Sequence, residues 1–244
     1  MWRTAVIATA AVVCFASRPA PAAPAPAAAP APPKSKPTTT RAGAASTTPT
    51  TAPVDQSTPK GALKMLARAL EAGDRKVLLE LLYADSPSER KIAEATAGLA
   101  EATAELRRAA VQAYGETASR PLGVDGAAVA DAMARVDASV EKIDGNQATV
   151  TSMLDPTDSM LLVQRDAKWR VPMAQIGGAV DAADLDKNLH DTSEQVKLLK
   201  AIAGEVSAGK FKTAIEARQE LDRRIIQSAM PQGAAATAPA PEKK

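Results

Sequence analysis

Residues 146–173, NQATVTSMLDPTDSMLLVQRDAKWRVPM, decide the fold class of this chain. This is the one long segment rich in β-branched residues, and helix-forming sequence lies on both sides of it. Two clusters of turn-forming residues, at 155–158 and 166–168, divide the segment. Together with a first strand over residues 136–143, the pattern predicts an antiparallel meander of three to four strands.

Three helices are predicted before the meander from local start and stop signals. Thr58 and Pro59 are suited to the N-cap and first turn of a helix that ends at Gly73. Asp74 can cap a second, shorter helix that reaches Leu82. Residues 86–89, Ser-Pro-Ser-Glu, combine a capping box with a proline in the first turn and predict a long third helix.

The long third helix carries a narrow apolar stripe that has two interpretations. Ile92, Leu99, Leu106 and Ala113 repeat every seven residues, with alanines between them. Such a stripe serves either homodimerisation through a coiled coil or packing within one chain. Because much of the stripe is alanine, we favour packing within the chain and keep the homodimer as the alternative.

Two amphipathic helices follow the meander. Apolar residues alternate in steps of three and four up to Gly209, and a last helix spans about 213–229. Their short connection and facing stripes predict an antiparallel pair. The predicted fold class is therefore α+β, with N-terminal helices packed on the meander and a C-terminal antiparallel helical hairpin after it.

Composition divides the rest of the chain. Residues 1–22 read as a signal peptide, with Arg3, a short apolar run and a small-residue cleavage site, so we predict export to the periplasm or the extracellular space. Residues 23–56 and 231–244 are rich in proline, alanine or threonine and predict a disordered linker and tail. Between them we expect an α+β domain at 57–178 and the helical hairpin at 179–230.

The signal peptide also contains Cys14, which is the single cysteine of the chain. A lipid anchor on Cys14 is the alternative to cleavage, although Val13 is a poor match to the small residue that such motifs place before the cysteine. No later segment is long and apolar enough to be a transmembrane helix, so none is expected after cleavage. A formal net charge of +2, interspersed charges and 2% aromatic residues do not fit nucleic-acid binding.

The candidate chemistry is sparse, and no catalytic residue, metal site or cofactor is predicted. His190 is the single histidine, and on a helix it shares a face with Asp186 and Glu194. That face lies opposite the apolar stripe, so we interpret the three residues as a solvated surface. Without a second histidine or a cysteine in the mature chain, a thiolate metal centre and a Cys-His pair are excluded.

The chain resembles the nuclear-transport-factor-2-like superfamily of cone-shaped α+β domains, and in particular its secreted bacterial members of unknown function. The resemblance spans about residues 57–176. It rests on TPKGA at 58–62, AGD at 72–74, GNQATV at 145–150 and LVQRDAKWRV at 162–171. Three features depart from the family pattern, namely the length of the helix from Pro87, the C-terminal helical pair and Ala167, which stands where the family's hairpin has glycine. We expect that the alanine prevents a turn with positive φ at this position.

The resemblance implies a cone-shaped cavity with an acid or a tyrosine at its mouth. Tyr83, Tyr114 and Trp169 are the candidate pocket residues, and Asp155 and Asp158 are the candidate acids. Each also has a structural interpretation, as an edge aromatic, a core anchor or a turn former. The leading hypothesis is a non-catalytic binding or scaffolding module for an envelope protein or polymer, with the amphipathic helices as partner surface. The alternative is a small-molecule carrier or enzyme.

Overall fold

The computed structural model describes residues 54–122, 127–155, 157–177 and 182–229. The predictions for the signal peptide, Cys14 and the C-terminal tail lie outside these residues. The described chain contains eight α-helices: α1 (Pro59–Ala72), α2 (Arg75–Leu81), α3 (Pro87–Tyr114), α4 (Glu116–Ser119), α5 (Ala127–Ala138), α6 (Met173–Gly177), α7 (Ala182–Ser207) and α8 (Ala214–Ala229). A 3-10 turn, Arg120–Leu122, follows α4.

The sheet has five strands, β1 (Leu82–Tyr83), β2 (Val140–Asp144), β3 (Gln147–Thr151), β4 (Ser159–Arg165) and β5 (Lys168–Pro172). Their spatial order is β1-β5-β4-β3-β2. Strands β2 to β5 form the predicted antiparallel meander, whereas β1 pairs with β5 in parallel. The α+β class is confirmed, but the sheet is a mixed one of five strands and not an antiparallel one of three or four.

The predicted helix starts agree with the structure. The Thr58 hydroxyl accepts a hydrogen bond from the Gly61 N–H, and Asp74 accepts one from Val77. Ser86 and Glu89 form the reciprocal capping box at the start of α3. These contacts lie within a few residues of each other, so the local sequence was sufficient to predict them.

Two element predictions were wrong, and a third was incomplete. Val136 belongs to helix α5, because its side chain packs into the core from that helix, and the first strand of the meander begins only at Val140. Leu82 leaves helix α2 and enters the sheet as β1, where it pairs with Val171. The C-terminal helices are not simply a pair, since α7 packs most extensively along α3 and α8 packs on both α7 and the 3-10 turn.

Helix α3 lies between two buried clusters, and this position accounts for its high alanine content. On one side Ala93, Ala97 and Ala100 join the core that α1, α2 and the sheet form around Trp169. On the other side Leu99 and Leu106 pack with α7 and α8. Small side chains let neighbouring helices approach α3 from both directions. The apolar stripe of α3 is therefore already buried within this chain over much of its length.

The alternation predicted for the strands also appears. Ala148, Val150 and Leu162 are buried on the sheet face that points toward the helices, next to Trp169 and Val171. The residues between them point to the opposite face. The sheet is therefore covered by helices on one side, and the other side carries the candidate functional surface.

Candidate functional site

Within the described residues, the side of the sheet that points away from the helices carries apolar and basic side chains. Leu161 lies opposite Thr149, and Val163 lies opposite Arg170 on the next strand. Leu161 and Val163 are partly exposed and belong to neither buried cluster. Strand alternation places the following residues on the same side, and we call them together the open face: Tyr83, Val140, Lys142, Asp144, Gln147, Thr149, Thr151, Ser159, Leu161, Val163, Arg165, Lys168, Arg170 and Pro172.

One end of the open face is organised around Tyr83. The guanidinium carbon of Arg165 lies 5.3 Å from the centroid of the Tyr83 ring, which is a cation–π distance. The Tyr83 hydroxyl donates a hydrogen bond to the Asp85 carboxylate. Arg165 is therefore held across the sheet surface by the aromatic ring.

The cations of the open face are poorly neutralised. Arg170 makes a long contact of 3.5 Å to the Asp166 carboxylate, and its buried Nε has no hydrogen-bond partner among the described residues. Within the same residues Lys142, Arg165 and Lys168 form no ion pair. The open face therefore has four cations, Lys142, Arg165, Lys168 and Arg170, against the one carboxylate of Asp144, around an apolar centre.

The structure does not bring the three predicted pocket residues together. Tyr83 is on the open face, whereas Trp169 is 3% exposed and lies in the core on the opposite side of the sheet. Tyr114 is at the far end of α3, where its hydroxyl donates to the Phe211 carbonyl at 3.1 Å. Burial first, and the charge of Glu216 second, raise the pKa of Tyr114. Its contacts are those of a residue that joins α3 to the α7–α8 connection.

Gln56 supports Trp169 and was assigned from sequence to the linker. Its carbonyl accepts a hydrogen bond from the Trp169 N–H at 2.9 Å, and its side-chain amide donates to the Trp169 carbonyl at 3.4 Å. Gln56 is 8% exposed. It pairs with the β5 edge beside the two-residue strand β1, so the folded part includes this residue. No local signal marks it, because its partner is more than a hundred residues away.

Asp155 and Asp158 lie in the connection between β3 and β4. Hydrogen bonds from the Thr157 hydroxyl and backbone lower the pKa of Asp155. Burial, followed by the Asp155 charge, raises the pKa of Asp158, and Arg135 opposes this shift. The Asp158 Oδ2 is buried without a partner among the described residues. Asp155 acts as a turn former, and Asp158 is the described carboxylate with a raised pKa.

The face of α7 that carries Asp186, His190 and Glu194 is a solvated surface, as its spacing predicted. Asp186 and His190 are exposed. Glu194 pairs with Lys197 at 2.7 Å, and this hydrogen bond, the Lys197 charge and then that of His190 lower its pKa. Across the described residues, no cluster of three or more acidic, histidine or cysteine side chains is placed to hold a metal ion.

Lys64 is a buried charge that sequence reasoning missed. Its side chain is 0% exposed and pairs with Asp137, and Lys60 next to it donates to the Asp137 carbonyl at 3.1 Å. The pair joins α1 to α5. The buried polar side chains of the described chain, Gln56, Lys64, Ser119, Ser139 and Ser152, include no carboxylate. None of the described helices is long and apolar enough to cross a membrane.

Comparison with known proteins adds no assignment to this geometry. The chain matches no protein-family model, no curated protein and no solved structure. Membership of the nuclear-transport-factor-2-like superfamily stays a prediction from the sequence motifs.

Proposed function

We propose that this chain is a non-catalytic binding module and that the open face is its binding surface. The observation that carries the proposal is the contrast between the two sides of the sheet. The amphipathic helices use their apolar stripes for packing within the chain, as Leu106 and Ile202 show. The open face keeps Leu161 and Val163 partly exposed. The partner surface is thus moved from the helices, where the sequence suggested it, to the sheet.

The chemistry of the open face favours an acidic protein segment as partner. Arg165 and Lys168 have no ion pair among the described residues, so carboxylates of a partner would meet unneutralised cations. The apolar centre suits side chains of a polypeptide, since desolvating Leu161 and Val163 favours association. The signal-like N-terminus and the proline-rich linker support an exported protein that presents this surface on a tether.

The alternative, a carrier or enzyme with a cone cavity, has a narrower basis. It requires the candidate pocket residues to line one space, but Tyr83, Trp169 and Tyr114 lie in three separate environments. Asp158, with its unpartnered oxygen and raised pKa, is the residue that still favours an acid-dependent activity. Membership of the nuclear-transport-factor-2-like superfamily would also favour this second function, because the resemblance implies a cone-shaped cavity.

The test is an affinity capture from envelope extracts of the source organism, with charge-reversal variants as the comparison. The open-face variant carries Arg165→Glu and Lys168→Glu. The matched control carries Arg90→Glu and Lys187→Glu, which reverse two exposed charges on α3 and α7. We expect one acidic protein to be retained by the wild type and the control and lost by the open-face variant. Equal retention by all three chains, or by none, would contradict the proposal.

A further inference from the structure

Strand β2 is the free edge of the sheet and has a defined set of outward backbone groups. The Gln164 N–H donates to Asn146 at 2.7 Å, and the Ser152 N–H donates to Asp158 at 2.9 Å. Residues 146, 148, 150 and 152 therefore bond toward β4, since hydrogen-bonding direction alternates along a strand. It follows that Gln147, Thr149 and Thr151 bond toward β2.

The cross-strand partners of these three residues are Asp144, Lys142 and Val140. Those residues of β2 are thus satisfied by β3. The backbone N–H and C=O groups of Glu141 and Ile143 point away from the sheet, and no strand of the described chain pairs with them. Ile143 is also 54% exposed. An edge strand with free backbone groups and an exposed apolar side chain is a template for another strand.

The charges of β2 identify which strand fits. Two antiparallel copies of β2 related by a two-fold axis must pair outward residues with outward residues. An axis at Glu141 sets the two Glu141 side chains opposite each other. An axis at Lys142 sets two lysines opposite each other, and like charges in such pairs are destabilising.

The third register has its axis at Ile143 and is complementary. It places the two Ile143 side chains together on the helix side of the sheet. On the open-face side it sets Lys142 opposite Asp144 of the other copy, and Asp144 opposite Lys142. Opposite charges across a strand pair stabilise it, and so do apolar pairs.

We propose that β2 is a self-association edge, and that two copies of this chain join through an Ile143-centred antiparallel pair of β2 strands into one continuous sheet. In this register Lys142, Ile143 and Asp144 of the two strands lie opposite one another, whereas Glu141 and Val140 face the turn residues Gly145 and Asn146 of the other copy. Three residues on each side form a small contact, so the dimer is weak and concentration-dependent. This proposal does not rest on the open-face proposal, although Lys142 belongs to both surfaces, because it is argued from the outward backbone groups and the pairing register of β2.

A role of Lys142 in preventing self-association predicts the opposite experimental result. Natural edge strands commonly carry lysine to prevent association. If Lys142 has that role, Lys142→Ala increases self-association. If Lys142 pairs with Asp144 of a second copy, Lys142→Ala decreases it.

Sedimentation velocity of the whole chain, from low micromolar concentration to about 1 mM, tests the proposal. We expect a monomer–dimer equilibrium in the wild type whose dissociation constant rises about tenfold or more in Lys142→Asp and in Asp144→Lys. The charge-swapped double variant, Lys142→Asp with Asp144→Lys, restores association. Rescue by the double variant excludes a merely structural effect of either change.

A backbone variant provides the second arm. Ile143→Pro removes an N–H that faces away from β3, so β2 keeps its pairing within the chain while the intermolecular bonds are lost. Circular dichroism equal to that of the wild type shows that this variant is folded. A wild-type monomer throughout the concentration range, stronger association of Lys142→Ala, or a dimer unaffected by the β2 variants overturns the proposal.

Discussion

Asp166 and Ala167 form the two-residue turn between β4 and β5, and both have positive φ, at 54° and 59°. The expectation that Ala167 prevents positive φ was wrong. Paired left-handed residues match the right-handed twist of a hairpin, and here the sheet and its core impose this conformation on an alanine. The hairpin thus keeps the geometry that glycine would favour, at a conformational cost.

Ala167→Gly should stabilise the chain. Relief of the left-handed alanine is worth about 1–2 kcal/mol, and the added freedom of the unfolded chain offsets about 0.4–1 kcal/mol of it. We expect the free energy of unfolding in urea to rise by about 0.5–1 kcal/mol. The control is Ala201→Gly in the exposed middle of α7, which should cost about 1 kcal/mol. A loss of stability in Ala167→Gly would contradict the strain argument.

The raised pKa of Asp158 predicts that its ionisation lowers the free energy of unfolding, whereas the ionisation of a carboxylate with a lowered pKa raises it. Because burial raises its folded pKa above the ordinary value of 3.8, the ionised form is less favourable in the folded state. Its destabilising effect is present above the folded pKa and disappears as pH falls through the folded and then the unfolded pKa. Asp158→Asn should therefore increase stability at pH 7 and lose that advantage near pH 3.

Asp155→Asn is the matched control for this titration, because hydrogen bonds lower the pKa of Asp155. Asp155→Asn should decrease the free energy of unfolding at neutral pH, and the difference from the wild type should vanish in acid. Chemical unfolding at several pH values measures both variants. Identical pH profiles for the two variants would refute the assignment of opposite environments.

At the scale of elements, helix packing around α3 depends on close approach. Gly73 ends α1 with φ 68°, and a Cβ added there would lie 2.6 Å from the Ala104 Cβ and 2.9 Å from the Glu101 Cα. Nearby, Arg107 of α3 reaches Glu71 of α1 at 2.6 Å. The glycine therefore serves both the left-handed end of α1 and the distance between the two helices.

Gly73→Ala should be more destabilising than a glycine substitution with the same φ in open space. Gly209 is such a control, with φ 70° and nothing within 4 Å of an added Cβ. We expect Gly209→Ala to cost about 1–2 kcal/mol from backbone strain alone. Overpacking against α3 should add about 1–3 kcal/mol in Gly73→Ala. Equal losses in thermal or urea unfolding would show that the α1–α3 approach is not tight.

At the scale of the whole molecule, α3 links the two buried clusters, so segments predicted as separate domains share one helix. Trp169 lies in the first cluster, and Ile202 of α7 is 0% exposed in the second. If α3 transmits stability between them, loss of packing in the second cluster must lower the stability reported by Trp169.

Ile202→Ala tests this coupling. A Trp2→Phe background leaves Trp169 as the single tryptophan, since the chain has two. We expect a loss of about 2–5 kcal/mol, with the same unfolding midpoint from Trp169 fluorescence and from circular dichroism. Ile226→Ala, at a site that is 54% exposed, should change stability much less. An unchanged fluorescence midpoint in Ile202→Ala would mean that the two clusters unfold independently.

The sequence by itself determined the features that depend on neighbouring residues. The caps at Thr58, Asp74 and Ser86 involve contacts within a few positions. The hairpin near Ala167 closes through a two-residue turn, and the alternation around Val150 is a two-residue period along one strand. Composition and local hydrogen bonding are sufficient to specify such features. The α+β class followed from the same local periodicities.

Tertiary structure alone decided which surfaces remain exposed. The parallel strand β1, the pairing of Gln56 with Trp169 and the buried Lys64–Asp137 pair join residues far apart in the chain. Helix α3 is buried on two sides against other elements of the chain, so much of its apolar stripe is not exposed. Because burial depends on the packing of distant elements, the sequence could not show that the open face and the β2 edge would be left exposed among the described residues.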